Sequence, residues 1–214
     1  GPSVRRIRPH LLPIALYLFL TFCAGWPLWR APSAMLLTSP DTWLNSYILA
    51  WDQYALYHQI GDFFQANVYW PNADSLAYGE LMLTQAIEAL PLRLFGAAPA
   101  LLHNCSLAEG FFFSALAAYA LALFYFRSRT AATLAGVAYG FAAYRTQQSD
   151  HIQLVHGEFL PLMFLALEWI LLAGPKKRRA GSWRLAGAAL GQWLASWYWA
   201  VFTFWAFVPY AAIR

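Results

Sequence analysis

The chain has 214 residues, of which 60% are hydrophobic, 18% aromatic and only 11% charged. Soluble domains carry roughly a quarter of charged residues, so this composition argues against a soluble protein and indicates an integral membrane protein. The net charge of +4 comes from basic residues in short clusters between apolar runs, a pattern typical of cytoplasmic loops. We therefore expect no nucleic-acid partner. Two cysteines, Cys23 and Cys105, are too few for a disulfide framework or a structural zinc site.

The first apolar run follows a short basic segment. Gly1-Pro2 stands without an initiating Met and indicates a scar of tag removal, so these two residues are left out of the fold prediction. The run from Leu11 to Trp29 is long enough to cross a hydrocarbon core of about 30 Å. It ends in tryptophans rather than in the small residues of a signal-peptide cleavage site. It is therefore predicted to be the first span.

A polar region at residues 30–80 separates this run from the next. Its acidic residues far outnumber its basic ones, which predicts a large outer loop. Aromatic and apolar residues recur there at spacings near three and four, which predicts an amphipathic helix from Thr42 to Ile60 along the membrane surface. Asp41 is then expected at the helix N-cap, a structural role that stands beside any chemical one. Three further acids are interpreted as a solvated face: Asp52, Asp62 and Asp74.

Further apolar runs follow. Leu81–Phe95 is short for a span and contains Gln85, Glu88, Pro91 and Arg93, so we expect it to dip into the membrane without crossing. Leu107–Phe126 is a good span, and Ala131–Tyr144 is rich in Ala and Gly, as in a tightly packed membrane helix. Leu154–Ala173 is a further span. Leu185–Ile213 is either one long tilted helix or two helices that meet at Ser196-Trp197.

Charged residues inside a span are functional candidates by default, because they are costly there. The run Leu154–Ala173 contains three such candidates: His156, Glu158 and Glu168. Each also has a structural interpretation, either near the membrane interface or paired with a basic residue.

The positive-inside rule selects one orientation of the chain. Placing the basic clusters in the cytoplasm puts the N-terminus inside and the loop at residues 30–80 outside. A second polar connection at residues 145–153 then lies on the same outer face. The sequence thus predicts an all-α, polytopic membrane protein: a single transmembrane domain over residues 1–214, with five to six spans and amphipathic helices in the first outer loop.

Several short segments follow the pattern of one family of membrane enzymes. They are Asp41-Thr42-Trp43-Leu44-Asn45, Tyr69-Trp70-Pro71, Leu76-Ala77-Tyr78-Gly79-Glu80, Tyr144-Arg145 with Gln148, His151-Ile152-Gln153-Leu154, Leu160-Pro161-Leu162 and Ser196-Trp197-Tyr198. In these segments the chain resembles the C-type (GT-C) glycosyltransferase superfamily, near its protein mannosyltransferase and aminoarabinose transferase groups. The resemblance covers nearly the whole chain but only the front of the family's usual length. It indicates an N-terminal transmembrane module or a shortened form.

The resemblance implies transfer of a sugar from a polyprenyl-phosphate donor at the outer face of a bacterial inner membrane. In the family an acid of the first outer loop is catalytic, a role that falls on Asp41. Acids or histidines of the second outer loop assist, which points to Asp150 and His151. A second acid does not follow Asp41, so the family's paired-acid motif is absent. Such a transfer needs a base for the acceptor hydroxyl and positive charge for the departing phosphate.

The remaining candidates are expected to bind the substrate or a divalent metal, Mg²⁺ or Mn²⁺. The expected substrate-binding residues are Trp43, Asn45, Tyr78, Glu80, Arg145 and Gln148. The expected metal ligands are Asp41, Glu80 and His151. Expected partners are the polyprenyl-phosphate-linked sugar, the lipid bilayer and other membrane subunits. The alternative function is a non-catalytic membrane subunit or scaffold with the same architecture. Independently of function, the Asp150-His151 pair also has a structural interpretation as part of a solvated loop.

Overall fold

The computed structural model describes residues 8–172 and 174–214. The proposed tag scar Gly1-Pro2 lies outside them. The described residues form helices joined by turns and contain no strand, which confirms the predicted all-α class. The α-helices are α1 (Leu11–Ala24), α2 (Pro40–His58), α3 (Leu83–Glu88), α4 (Leu90–Leu94), α5 (Pro99–Phe126), α6 (Arg129–Gly140), α7 (Ala143–Gln147), α8 (Ile152–Val155), α9 (Phe159–Leu172), α10 (Pro175–Ala195) and α11 (Trp197–Ile213).

Two segments of the described chain are long and apolar enough to cross a membrane. They are α5 and the segment Ile152–Leu172, which contains α8 and α9. Helices α1 and α11 are also apolar but shorter, with 14 and 17 residues. The predicted first span thus ends as a helix at Ala24, and the chain continues into a turn and a short 3-10 helix at Leu28–Arg30. Fewer segments meet the requirements of a span than the five to six predicted.

Two of the predicted runs are interrupted. The run Leu154–Ala173 is broken at residues 156–158, between α8 and α9. The last run is broken at Ser196, whose extended backbone (φ −168°, ψ 132°) separates α10 from α11. Of the two alternatives for that run, the structure has the pair of helices. The run Leu81–Phe95 forms only α3 and α4, each too short to cross a membrane of about 30 Å.

Helix α5 is the centre of the bundle and packs against α1, α2, α6 and α9. Its contact with α6 is close because glycines of α6 face it. A Cβ atom added at Gly140 would lie 2.5 Å from the Cβ and 2.8 Å from the Cα of Ala115. At Gly136 it would lie 2.7 Å from the carbonyl oxygen of the same alanine. Small residues let two helix backbones approach in this way, as predicted for the Ala- and Gly-rich run.

Helix α2 positions the candidate site, and it differs from its prediction at two points. Ser39 is its N-cap residue and Pro40 its first helical residue, so Asp41 lies in the first turn rather than at the cap. Asp52, expected on a solvated face, is fully buried. The neighbouring Gln53 is also buried and donates a hydrogen bond to the carbonyl oxygen of Ala86 (3.0 Å) in α3, against which α2 packs.

The buried Asp52 makes the stability of the fold depend on pH. Burial raises the pKa of Asp52 from 3.8 to about 7. The folded state therefore keeps a proton that the unfolded state releases, so the free energy of unfolding falls as the pH rises from about 4 to about 7. We expect Asp52→Asn, which is neutral at every pH, to remove this decline and to raise the unfolding temperature at about pH 8.

Thermal unfolding in detergent across this pH range measures the effect. The exposed Asp62 supplies the control, because Asp62→Asn should leave the pH dependence of the wild type in place. A decline of equal size in the Asp52→Asn protein would show that other groups cause it.

Candidate functional site

A cleft of about 460 Å³ lies where α2, the 145–153 segment and α11 meet. It is lined by polar and aromatic side chains from distant parts of the sequence: Asp41, Asn45, Glu80, Tyr144, His151, Gln153, Tyr198 and Phe202, together with Leu44, Ile48 and Leu154. The first and second predicted outer loops thus contribute to one cleft.

The imidazole of His151 lies between two carboxylates in this cleft. Its Nε2 atom is 3.3 Å from Oδ2 of Asp41, and its Nδ1 atom is 2.8 Å from Oδ1 of Asp150. The side chains of His151 and Asp41 are 30% and 52% exposed, so both can meet a substrate from solvent. The three residues form one contiguous Asp–His–Asp group.

Asp150 is itself held in place by the start of α2. The Ser39 hydroxyl donates a hydrogen bond to Oδ2 of Asp150 (3.2 Å), and Nδ2 of Asn45 donates one to its main-chain carbonyl oxygen (3.0 Å). The Ser39 side chain makes no capping bond to α2. Ser39 and Asn45 therefore fix the segment that carries His151, and the Asn45 amide, expected to bind substrate, holds this loop.

The hydrogen-bonding capacity of these groups decides what the site can do. An ionised carboxylate only accepts hydrogen bonds, so each ring nitrogen of His151 needs a proton or a cation between it and its carboxylate. Asp150 accepts from Nδ1–H and orients the ring, which leaves Nε2 to exchange a proton beside Asp41. Ligand atoms of Asp41, Asp150 and His151 also lie within 4.8 Å of one another, close enough to share one metal ion.

Glu80 lines the same cleft but is engaged elsewhere. Its Oε2 atom accepts a hydrogen bond from the main-chain N–H of Trp197 at the start of α11 (3.0 Å). Burial raises the pKa of the Glu80 carboxyl. Among the described residues, Asp150 rather than Glu80 lies with Asp41 and His151 in a group close enough to share one metal ion. The role of Glu80 as a metal ligand stays a prediction.

Arg145, expected to bind the donor phosphate, lies in the protein interior. Its side chain is 2% exposed. Its guanidinium carbon is 4.5 Å from the ring centre of Tyr139 and 5.2 Å from that of Trp199, and the group donates a hydrogen bond to the carbonyl oxygen of Val155. A Cβ atom at Gly157 would overlap the guanidinium, so the glycine makes room for it. Arg145 therefore packs the helices and does not line the cleft.

The three remaining expected substrate-binding residues do not line the cleft. Trp43 and Tyr78 are each 65% exposed and do not line it. Gln148 is partly buried and also lies outside the lining. Sequence reasoning did not assign site roles to Ser39, Tyr198 or Phe202. The sequence signal that could have identified Tyr198 is the predicted helix break at Ser196-Trp197. A break changes the direction of the helix axis and so the direction in which the following side chains point.

Comparison with protein-family models, with curated proteins and with solved structures gives no match to this chain. The geometry of the cleft therefore carries the functional argument.

Proposed function

We propose that the chain is the membrane part of a glycosyltransferase that moves a sugar from a polyprenyl-phosphate donor to an acceptor hydroxyl. The observation that carries the proposal is the pairing of Asp41 with His151, 3.3 Å apart in a cleft of about 460 Å³. A base and a proton-carrying imidazole within hydrogen-bond reach of one substrate are what such a transfer needs.

In the proposed reaction the Asp41 carboxylate takes the proton of the acceptor hydroxyl. The acceptor oxygen forms a bond to the anomeric carbon, while the bond from that carbon to the phosphate oxygen breaks and its electron pair stays with the phosphate. Protonated His151 lies beside Asp41 and balances the charge of the leaving phosphate. Asp150 stabilises this imidazolium through Nδ1–H.

The same three side chains fit a divalent metal ion, because they offer two carboxylates and one imidazole within 4.8 Å. A bound Mg²⁺ or Mn²⁺ would supply positive charge at the donor phosphate. Asp41, Asp150 and His151 would hold it.

Aromatic side chains around the cleft suit a lipid-linked sugar. Tyr144, Tyr198 and Phe202 line one side of it, and aromatic rings stack on sugar faces and on polyprenyl chains. Beyond the cleft, α11 exposes further large aromatic side chains, which are typical of a surface in contact with lipid. These are Trp197, Phe204 and Trp205.

The proposal includes a multi-pass location in a bacterial inner membrane, with the N-terminus in the cytoplasm and the cleft at the outer face. Two lines of support are the candidate spans at α5 and Ile152–Leu172 and the basic clusters at the opposite ends of the apolar runs. The cleft shared by residues from 30–80 and 145–153 supports a location of both segments on one side of the membrane.

Binding of undecaprenyl phosphate tests the proposal. A ligand present at about 100 times its dissociation constant stabilises the folded state by roughly 2.7 kcal/mol, so we expect a higher unfolding temperature for the wild type in detergent. His151→Gln should reduce this shift, whereas the exposed Asp62→Asn should keep it. Absence of any shift in the wild type would instead favour a non-catalytic membrane subunit or scaffold with the same architecture.

A further inference from the structure

A second group of acidic and imidazole side chains lies inside the bundle and shares no residue with the Asp–His–Asp group. His156, in the break between α8 and α9, is fully buried. Its Nδ1 atom is 3.0 Å from Oε1 of Glu158 and 3.8 Å from Oε2 of Glu88, which ends α3. One ligand atom from each of the three residues lies within 4.8 Å of the other two.

The surroundings of Nε2, the second ring nitrogen of His156, show which nitrogen carries the hydrogen and which can bind a metal. Nε2 is 2.8 Å from the main-chain carbonyl oxygen of Ser106 and 3.1 Å from its hydroxyl. A carbonyl oxygen can only accept, so Nε2 carries the hydrogen. In the neutral ring Nδ1 then has the lone pair, and it faces the two carboxylates. Histidines that bind metals typically donate their other ring N–H to a carbonyl or carboxylate in this way.

The carboxyl groups of this region lack strong partners. Besides Glu88 and Glu158, Glu109 lies on α5, the helix whose Ser106 and Gly110 contact His156. Within the described parts of the chain, none of the three glutamates makes an ion pair with Lys or Arg. The Oε2 atoms of Glu88 and Glu109 are buried without a hydrogen-bond partner. A carboxyl group taken out of water is stabilised by a proton, a paired charge or a metal ion, and one cation between Nδ1 of His156, Glu88 and Glu158 would serve all three groups.

We propose that Glu88, His156 and Glu158 bind a divalent transition-metal cation of the Zn²⁺ type. One imidazole nitrogen with two carboxylate oxygens is a donor set that Zn²⁺ accepts with three protein ligands. The backbone carbonyl of Ser106 fixes the ring, and Gly110 of α5 lets the ring approach, since a Cβ atom there would lie 2.9 Å from Cδ2 of His156. The cation cross-links α3 to the α8–α9 connection.

Zinc binding by the purified full chain tests this site. The Asp41→Asn background disables the first cluster, and after chelator treatment we expect it to retain one Zn²⁺ per chain by elemental analysis. Adding Glu88→Gln should weaken Zn²⁺ binding by about 100-fold. Loss of a residue that only supports a metal ligand lowers affinity by about 10–100-fold, and loss of the ligand itself should cost at least as much. Co²⁺ in place of Zn²⁺ should give visible absorption bands that the same variant loses. Asp62→Asn removes an exposed carboxylate outside both clusters and should change neither readout.

A second variant guards against a folding artefact. In the presence of chelator, the proteins with Glu88→Gln and with His156→Gln should unfold at temperatures similar to each other. Added Zn²⁺ should raise the unfolding temperature of the Asp41→Asn protein but of neither of these two variants. Absence of bound Zn²⁺ in the Asp41→Asn background overturns the proposal. Unchanged Zn²⁺ affinity after Glu88→Gln or His156→Gln overturns it as well, whereas neither result bears on undecaprenyl phosphate binding.

Discussion

Asp41→Asn is expected to lower sugar transfer by about 10²–10⁴-fold, the usual contribution of a general base. Asparagine has nearly the same shape as aspartate but cannot take the acceptor proton, and it removes the charge beside Nε2 of His151. Because the Asp41 side chain is 52% exposed, the substitution should leave the fold intact. Release of polyprenyl phosphate from a polyprenyl-phosphate sugar in proteoliposomes measures the reaction.

Two comparisons make this experiment decisive. Asp62→Asn makes the same chemical change on an exposed aspartate away from the cleft and should keep full activity. Asp150→Asn should have a smaller effect than Asp41→Asn, because Asp150 does not line the cleft and acts through its hydrogen bond to the imidazole of His151. Full activity of the Asp41→Asn protein, with unfolding unchanged, would remove Asp41 from the mechanism.

Gly140→Ala and Gly187→Ala are expected to change stability in opposite directions. The new methyl group at Gly140 would meet the Cα and Cβ of Ala115 at 2.8 Å and 2.5 Å, so α5 and α6 must separate. Such overpacking costs roughly 1–3 kcal/mol. At Gly187, inside α10, nothing lies within 4 Å of the added atom. There the better helix propensity of alanine should stabilise the fold by about 0.5–1 kcal/mol.

Chemical unfolding in detergent, followed by helix content, measures both changes. Each variant adds one methyl group to the wild type. Opposite signs of the change in the free energy of unfolding therefore report the different surroundings of the two glycines. If Gly140→Ala were as stable as the wild type, the close contact between α5 and α6 would not hold the bundle together.

Sequence patterns predicted those helices whose formation and packing depend on residues close together along the chain. The spacing of apolar residues indicated helix α2, the Ala- and Gly-rich composition of α6 indicated close packing, and Ser196 marked one of two possible arrangements for the last run. Charge distribution placed the Asp41 and His151 segments on one face, and these segments do share a cleft. Only two segments of the described chain meet the length and hydropathy of a span, since α1 and α11 are apolar but short, so the five to six spans stay a prediction.

What the sequence could not predict depends on neighbours that are distant along the chain. The segment around Asp52 predicts an exposed side chain, yet the fold buries it completely. From the sequence, Arg145 could bind a phosphate. In the structure Gly157 leaves room for its guanidinium, which packs against the rings of Tyr139 and Trp199 instead. The orientation of Asp150 also depends on the Ser39 hydroxyl. The two residues are far apart along the chain, and the fold brings the hydroxyl to 3.2 Å from Oδ2 of Asp150.

The one-turn helix α8 separates His151 from His156, and so connects the two clusters along the backbone. Each residue of an α-helix rotates the chain by about 100° and advances it by about 1.5 Å. Inserting or deleting one residue between Ile152 and Val155 would therefore turn one imidazole away from its carboxylates while the other stayed in place. Substitutions in this turn are tolerable if they pack well, but its length is fixed by the geometry of both clusters.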